Sequence, residues 1–168
     1  MRVVLLIILI LFSILWLIVP WDWRVGLFVG GLAFLWLLFF TSLISRVGRR
    51  HLAAALLLSF PLMFAGVFQP LFLWYALAPL AAFVWLVYVA RERYGWLYGF
   101  LFVVLTLWLH IVLQIAADVA SGGLLTKAYG VGLHPHERWN IPVIVVADAA
   151  TLYASAELIK LLFRRFRW

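Results

Sequence analysis

Polar side chains recur at every fourth position of a long apolar segment in the second half of the chain. They are Thr106, His110, Gln114 and Asp118. On a helix that advances about 100° per residue, this spacing covers roughly 120° of one face and makes a continuous polar stripe. A second apolar segment carries Asp148, Thr151 and Ser155, which fall within about 60° of one another on the same geometry. Carboxyl, imidazole and hydroxyl groups in apolar surroundings can exchange protons, bind a cation or hydrogen-bond a small ligand.

The two stripes are predicted to face each other. One loop separates the segments that carry them, so as helices they would run antiparallel and leave the same loop. The neighbours expected at matching depth are Gln114 with Asp148, His110 with Thr151, and Thr106 with Ser155. Counting inward from Ile141 at about 1.5 Å per residue places Asp148 roughly 10 Å below the outer membrane interface.

An ionisable group inside a bilayer costs roughly 2.5 kcal/mol or more, so these residues favour a functional site. We predict an externally open polar site between the last two long helices that binds or passes a proton, metal ion, quinol or small ligand. His110 and Asp148 would form its proton-sensitive centre. The supporting ligands would be Gln114, Asp118, Thr151 and Ser155. The simpler alternative is a purely structural seam of interhelical hydrogen bonds.

Another hypothesis is a membrane-embedded hydrolase or transferase in which Asp118 and Asp148 act as a general acid and base. Such a pair needs separated pKa values and a reach of about one water molecule. Part of the last helix, Ala147-Asp148-Ala149-Ala150, is similar to part of the last motif of lipoprotein signal peptidase, an intramembrane aspartyl protease. The Asn two residues before Asp148 and the Asn-x-x-Asp-Arg context around Asp118 are both missing, so no family is assigned.

A candidate metal site precedes the last helix in the run His134-Pro135-His136-Glu137. Two His separated by one residue, with a Glu beside them, could bind Zn or Cu, although this spacing is no recognised zinc signature. We expect a lid loop whose histidines face water. The sequence identifies no cofactor, because the absence of Cys excludes thiolate sites and only His110 lies deep enough to bind a b-type haem.

The elements that position these groups are predicted from composition. Of the 168 residues, 68% are hydrophobic and 11% are charged, and the mean hydropathy is +1.16. Soluble domains carry about 45 to 50% apolar and about 25% charged residues, so we predict an all-α, polytopic membrane protein of one domain. Apolar runs of about 17 to 25 residues indicate six transmembrane helices. They cover residues 3–19, 25–45, 52–68, 71–90, 94–119 and 141–163, with an external loop at 121–140.

Basic residues set the predicted orientation of these helices. The side that holds both termini carries ten of the thirteen Lys and Arg, and the other side carries Arg24, Lys127 and Arg138. By the positive-inside rule both termini are cytoplasmic and the 121–140 loop is external. The net charge is +7. The basic residues lie next to the predicted helix ends, where anionic lipid headgroups explain them, so nucleic acid is not an expected partner. The expected setting is the cytoplasmic (inner) membrane, with the lipid bilayer and further membrane subunits or a second copy of the chain as partners.

Two further patterns concern packing. The GxxxG spacings Gly26 to Gly30 and Gly95 to Gly99 predict close approach of helix backbones. Glu157, with Lys160 one turn later, is expected to form a snorkelling surface pair near the cytoplasmic end.

Overall fold

The computed structural model describes residues 1–67, 72–132 and 136–165, and every regular element in that part of the chain is helical. The helices are α1 (Arg2–Ile14), α2 (Arg24–Ile44), α3 (Arg49–Val67), α4 (Phe72–Tyr94), α5 (Trp96–Ala120), α6 (Leu124–Val131) and α7 (Asn140–Arg165). A short 3-10 turn, Leu15–Leu17, continues α1. The prediction of an all-α protein is confirmed.

The long helices begin and end within a few residues of the apolar runs that predicted them. By length and composition, α2, α5 and α7 are each able to cross a membrane. The first apolar run forms α1 and its 3-10 turn, which together are apolar but shorter. The predicted junction between the third and fourth runs, residues 69–70, lies outside the described residues.

The prediction of an irregular external loop over 121–140 is wrong in part, because α6 lies within it. Leu125 and Ala128 are one turn apart, and both are buried. This apolar face packs against the ends of α5 and α7. The segment reads as a loop in the sequence because glycines surround it, and three of these, Gly122, Gly123 and Gly132, have positive φ.

The core lies where α1, α2, α4, α5 and α7 meet. Its fully buried side chains include Leu9, Phe39, Phe40, Phe102 and Leu152. The outward faces of the helices carry exposed apolar side chains such as Trp108 and Val119. Apolar groups on both the inside and the outside fit a bundle whose surface faces hydrocarbon.

The turn between α4 and α5 consists of one residue, Gly95, whose φ of 81° is open to glycine and strained for other residues. One helical turn later, Gly99 meets the end of α4 at close range. A Cβ atom at Gly99 would lie 2.6 Å from the Arg91 backbone nitrogen. The predicted close approach is therefore confirmed at Gly99 alone, because nothing lies within 4 Å of a Cβ at Gly95, which forms the turn.

Replacing Gly99 with Ala should push α4 and α5 apart, since the obstructing atoms belong to backbone and cannot rotate away. Overpacking of this kind costs about 1 to 3 kcal/mol of unfolding free energy. Titration of the detergent-solubilised protein with SDS, followed by circular dichroism, measures the loss. Gly130→Ala is the matched control, because no atom lies within 4 Å of a Cβ at Gly130. Equal stability of the two variants would contradict the close approach.

The predicted surface pair of Glu157 and Lys160 is wrong for Lys160, whose side chain is only 4% exposed. The Lys160 Nζ lies 2.6 Å from the Glu157 Oε1, and an Arg2 guanidinium nitrogen lies 3.3 Å from the same oxygen. These contacts join α1 to α7 at one end of the bundle. Lys160 lies in a buried part of α7, next to Ile159 and one helical turn after Ala156, both of which are buried.

Candidate functional site

The polar faces of α5 and α7 meet, as the stripes predicted. The Gln114 side-chain amide donates a hydrogen bond to Asp148 Oδ1. One helical turn away, the Thr151 hydroxyl oxygen lies 2.9 Å from His110 Nδ1. Both predicted pairings at these depths are confirmed. They form because antiparallel helices in contact bring residues of equal depth together.

A third element, α6, supplies a residue that the stripes did not reveal. The Tyr129 hydroxyl donates a hydrogen bond of 2.9 Å to Asp148 Oδ1. Partial burial and then the negative charge of Asp148 raise the pKa of Tyr129 to about 12. The phenol therefore remains a protonated donor at ordinary pH. The signal in the sequence was weak: an amphipathic turn with Leu125 and Ala128 on one face, in a glycine-rich segment.

The two oxygens of Asp148 have different surroundings. Gln114 and Tyr129 both donate to Oδ1, and within residues 1–67, 72–132 and 136–165 no group hydrogen-bonds Oδ2. Nor does any Lys, Arg or His of those residues form an ion pair with this carboxyl group. Neutral donors can orient a carboxylate, but they do not balance its charge. Asp148 is thus a half-buried acid with one uncommitted oxygen.

His110 is buried one turn deeper, where Thr151 fixes its tautomer. The Thr151 hydroxyl lies 2.7 Å from the Ala147 carbonyl oxygen and donates its single proton there. His110 Nδ1 then donates to Thr151, so that Nε2 is the basic nitrogen whenever the imidazole is neutral. Nothing in the described part of the chain joins His110 directly to Asp148 by a hydrogen bond or ion pair. His110 and Asp148, which were predicted to form one centre, therefore have separate hydrogen-bond partners on adjacent turns of the α5–α7 contact.

The deepest predicted pairing, Thr106 with Ser155, is not made as a hydrogen bond. The Ser155 hydroxyl donates to the Thr151 carbonyl oxygen of its own helix, 2.7 Å away. Thr106 is fully buried, and its hydroxyl has no partner among the described residues. A Ser or Thr hydroxyl can donate its hydrogen bond to the carbonyl oxygen one turn earlier in its own helix, so equal depth does not guarantee a hydrogen bond between helices.

Asp118 lies on the polar stripe of α5, but its carboxylate contacts the start of α6. Its carboxylate accepts a 2.9 Å hydrogen bond from the Thr126 backbone nitrogen and another from the Thr126 hydroxyl. Thr126 is the third residue of α6, and Gly123 before the helix has no side chain to cap it. Asp118 therefore acts as the missing N-cap from the preceding helix. Among the described residues, its carboxylate makes no hydrogen bond to Gln114 or Asp148.

The predicted metal-binding run is only partly described, since His134 lies outside the described residues. His136 and Glu137 line an open cleft of about 620 Å³ together with Lys127. The described residues bring together no group of three or more potential metal ligands from His, Asp or Glu. Lys127 also adds a positive charge to this cleft, which disfavours the binding of a cation there.

Arg138 and Asn140 form hydrogen bonds at the start of α7 that the sequence did not predict. Arg138 donates hydrogen bonds to the carbonyl oxygens of Leu17 and Val19, at 3.1 and 2.7 Å. Asn140, the first residue of α7, donates to the Gly132 carbonyl oxygen at 2.6 Å. The Arg138 contacts hold the start of α7 against the end of the first helix, and the Asn140 contact joins α7 to the end of α6.

The chain matches no protein-family model, no curated protein and no solved structure.

Proposed function

We propose that the chain is a six-span protein of the cytoplasmic membrane, with both termini in the cytoplasm and α6 on the outer side. The ten-to-three distribution of basic residues supports this orientation. The candidate spans α2, α5 and α7 support membrane insertion. Lipid is the first expected partner, and further membrane subunits or a second copy of the chain belong to the same proposal.

The absence of Cys from the chain makes this topology directly testable. A single cysteine at Lys127, in α6, should react with a membrane-impermeant maleimide added to intact cells. A single cysteine at Arg164, near the end of α7, should react only after the membrane is permeabilised. Both side chains are exposed, so a difference between them reports the side of the membrane. Labelling of both positions from outside, or of neither, would contradict the proposed orientation.

Within this topology, we propose that the α5–α7 seam binds or passes a proton or a small cation. Asp148 is the binding group, Gln114 and Tyr129 orient its carboxylate, and His110 is a second proton acceptor one turn deeper. The proposal rests on Asp148 Oδ2, which no group of the described residues hydrogen-bonds, and on a carboxylate whose described hydrogen-bond partners are both neutral. A carboxylate in apolar surroundings favours whatever neutralises it, and a proton or a cation does so.

The other functions predicted from the sequence have less support. Both carboxylate oxygens of Asp118 bind Thr126, so the acid–base pair of a hydrolase has no specific observation in its favour. A purely structural seam would explain the Gln114–Asp148 and His110–Thr151 contacts. It would not explain why an acid stands at position 148 with no cationic partner among the described residues, since an amide there would make the same hydrogen bonds at lower cost.

A proteoliposome experiment tests the proposed function. The purified protein is reconstituted around a pH-sensitive dye, and an acid pulse or a gradient of Na⁺ or K⁺ is applied from outside. Protein-dependent entry of protons or of one of these cations supports passage, and saturable uptake by the protein without entry supports binding. Identical traces from protein-containing and protein-free liposomes would contradict both.

A further inference from the structure

The opposite end of the bundle carries a cleft that the proposed function does not use. It lies between the end of α2, the start of α3 and the end of α4, and its volume is about 410 Å³. Its polar lining consists of Ser45, Arg46, Arg50, His51, Glu92 and Arg93. Three guanidinium groups thus share one cleft with a single carboxylate, which gives it a positive potential.

His51, whose ring packs edge-to-face on Trp85, contributes a buried donor that has no hydrogen-bond partner among the described residues. The Gly48 backbone nitrogen, just before α3, donates a 3.0 Å hydrogen bond to His51 Nδ1. The third residue of a helix commonly reaches back in this way to the residue that precedes the helix. Because Nδ1 accepts, the proton of the neutral ring is on Nε2. His51 is 4% exposed, and its Nε2 is buried with no hydrogen-bond partner in the described part of the chain.

The three arginines differ in the contacts that their guanidinium groups make within the protein. Arg50 forms a 2.5 Å ion pair with Glu92, and Arg93 donates a 2.9 Å hydrogen bond to the Ile44 carbonyl oxygen at the end of α2. Arg46 is exposed and makes no ion pair or hydrogen bond within residues 1–67, 72–132 and 136–165. Arg46 also lines an adjoining cleft together with Arg2, so its positive charge contributes to the potential of both clefts.

We propose that this cleft binds a phosphate group, with Arg46 as its charge partner and the His51 Nε2–H as a hydrogen-bond donor. The positive end of α3, a 19-residue helix that begins at Arg49, favours the same anion. The phosphate belongs either to the headgroup of an anionic lipid or to a soluble phosphorylated molecule. At the proposed cytoplasmic surface, the leaflet is rich in anionic lipid headgroups, which present phosphate at this depth.

Two arginines provide a matched pair of variants. Arg46→Gln removes a charge from the cleft, whereas Arg49→Gln removes one from an exposed side chain at the start of α3 that lines neither cleft. His51→Glu is the second test, because Glu at this helix position still accepts the Gly48 hydrogen bond but replaces a donor with a negative charge. Circular dichroism of all three variants verifies that they fold.

The experiment uses the full-length protein in two arms. In the first, nanodiscs of phosphatidylcholine with added phosphatidylglycerol are released into the gas phase, and native mass spectrometry measures the lipid retained. In the second, inorganic phosphate is titrated into the protein in uncharged detergent and followed by phosphorus NMR. We expect Arg46→Gln and His51→Glu to weaken binding about tenfold and Arg49→Gln to change it less than about twofold, as charge-assisted hydrogen bonds predict.

The two arms separate the sources of the phosphate. Selective retention of phosphatidylglycerol, lost in Arg46→Gln, identifies a lipid headgroup. Binding of inorganic phosphate with the same dependence on Arg46, but without lipid selectivity, identifies a soluble ligand. The proposal is overturned if the wild-type protein binds neither probe, or if Arg46→Gln and Arg49→Gln weaken binding equally. None of these outcomes depends on the Asp148 site, so the two proposals fail independently.

Discussion

Replacing Asp148 with Asn is expected to abolish proton or small-cation binding at the α5–α7 seam. Asn has the same size and keeps an acceptor oxygen for Gln114 and Tyr129, but it cannot take up a proton or balance a cation. Removing one partner of a buried charge pair costs about 3 to 5 kcal/mol, so binding should fall at least about a hundredfold. The acid-pulse and cation-gradient measurements in proteoliposomes determine the loss.

The control for Asp148→Asn is the same chemical change at Asp22. Asp22 lies in the exposed turn before α2, on the same proposed side of the membrane, and its Oδ1 accepts a 2.8 Å hydrogen bond from the Arg24 backbone nitrogen. Asn can accept the same bond, so Asp22→Asn should leave uptake unchanged. If Asp148→Asn also behaves like the wild-type protein, the carboxyl group is a packing element and the proposed function is wrong.

The second large effect is expected at Asp118, where substitution by Ala should release α6. Loss of an N-cap costs about 1 kcal/mol, or about a fivefold shift in a local equilibrium. An eight-residue helix is marginal without its cap, so α6 should open and the Tyr129 hydroxyl should leave Asp148. Hydrogen–deuterium exchange of residues 124–131 measures the opening, with the amides of α5 as an internal reference.

Asp118→Asn separates this capping role from catalysis. Asn caps helices about as well as Asp, so the Asn variant should protect residues 124–131 nearly as well as the wild-type protein. A general acid or base at position 118 would instead be lost in the Asn and Ala variants alike. Fast exchange of α6 in Asp118→Asn, equal to that in Asp118→Ala, would contradict the capping role.

The sequence predicted the part of the site that depends on helical periodicity alone. The spacing of His110 and Gln114 on one helix, and of Asp148 and Thr151 on the next, fixes which face each occupies. The antiparallel connection fixes their relative depth. The 3.6-residue helical period and the antiparallel order of the two helices were therefore enough to pair Gln114 with Asp148 and His110 with Thr151.

The sequence did not predict contacts whose partners depend on tertiary placement. Tyr129 reaches Asp148 only because α6 folds back over the start of α7, and its glycine-rich surroundings favoured an irregular loop. The cap on α6 comes from Asp118, eight residues before Thr126, whereas the usual signal is a side chain at the position occupied by Gly123. Lys160 was expected at the surface because charged side chains are usually exposed, but the Glu157 carboxylate lies within reach and allows it to be buried.

The single-residue connection at Gly95 limits where movement in this molecule can originate. A chain reversal with no slack, and the backbone contact at Gly99, prevent α5 from sliding along its axis unless α4 slides with it. A movement that changes the surroundings of the Asp148 carboxyl group would then involve α6 or α7, which supply Tyr129 and Asp148 itself. Gly122 and Gly123, which connect α5 to α6 and both have positive φ, are where such a movement of α6 would pivot.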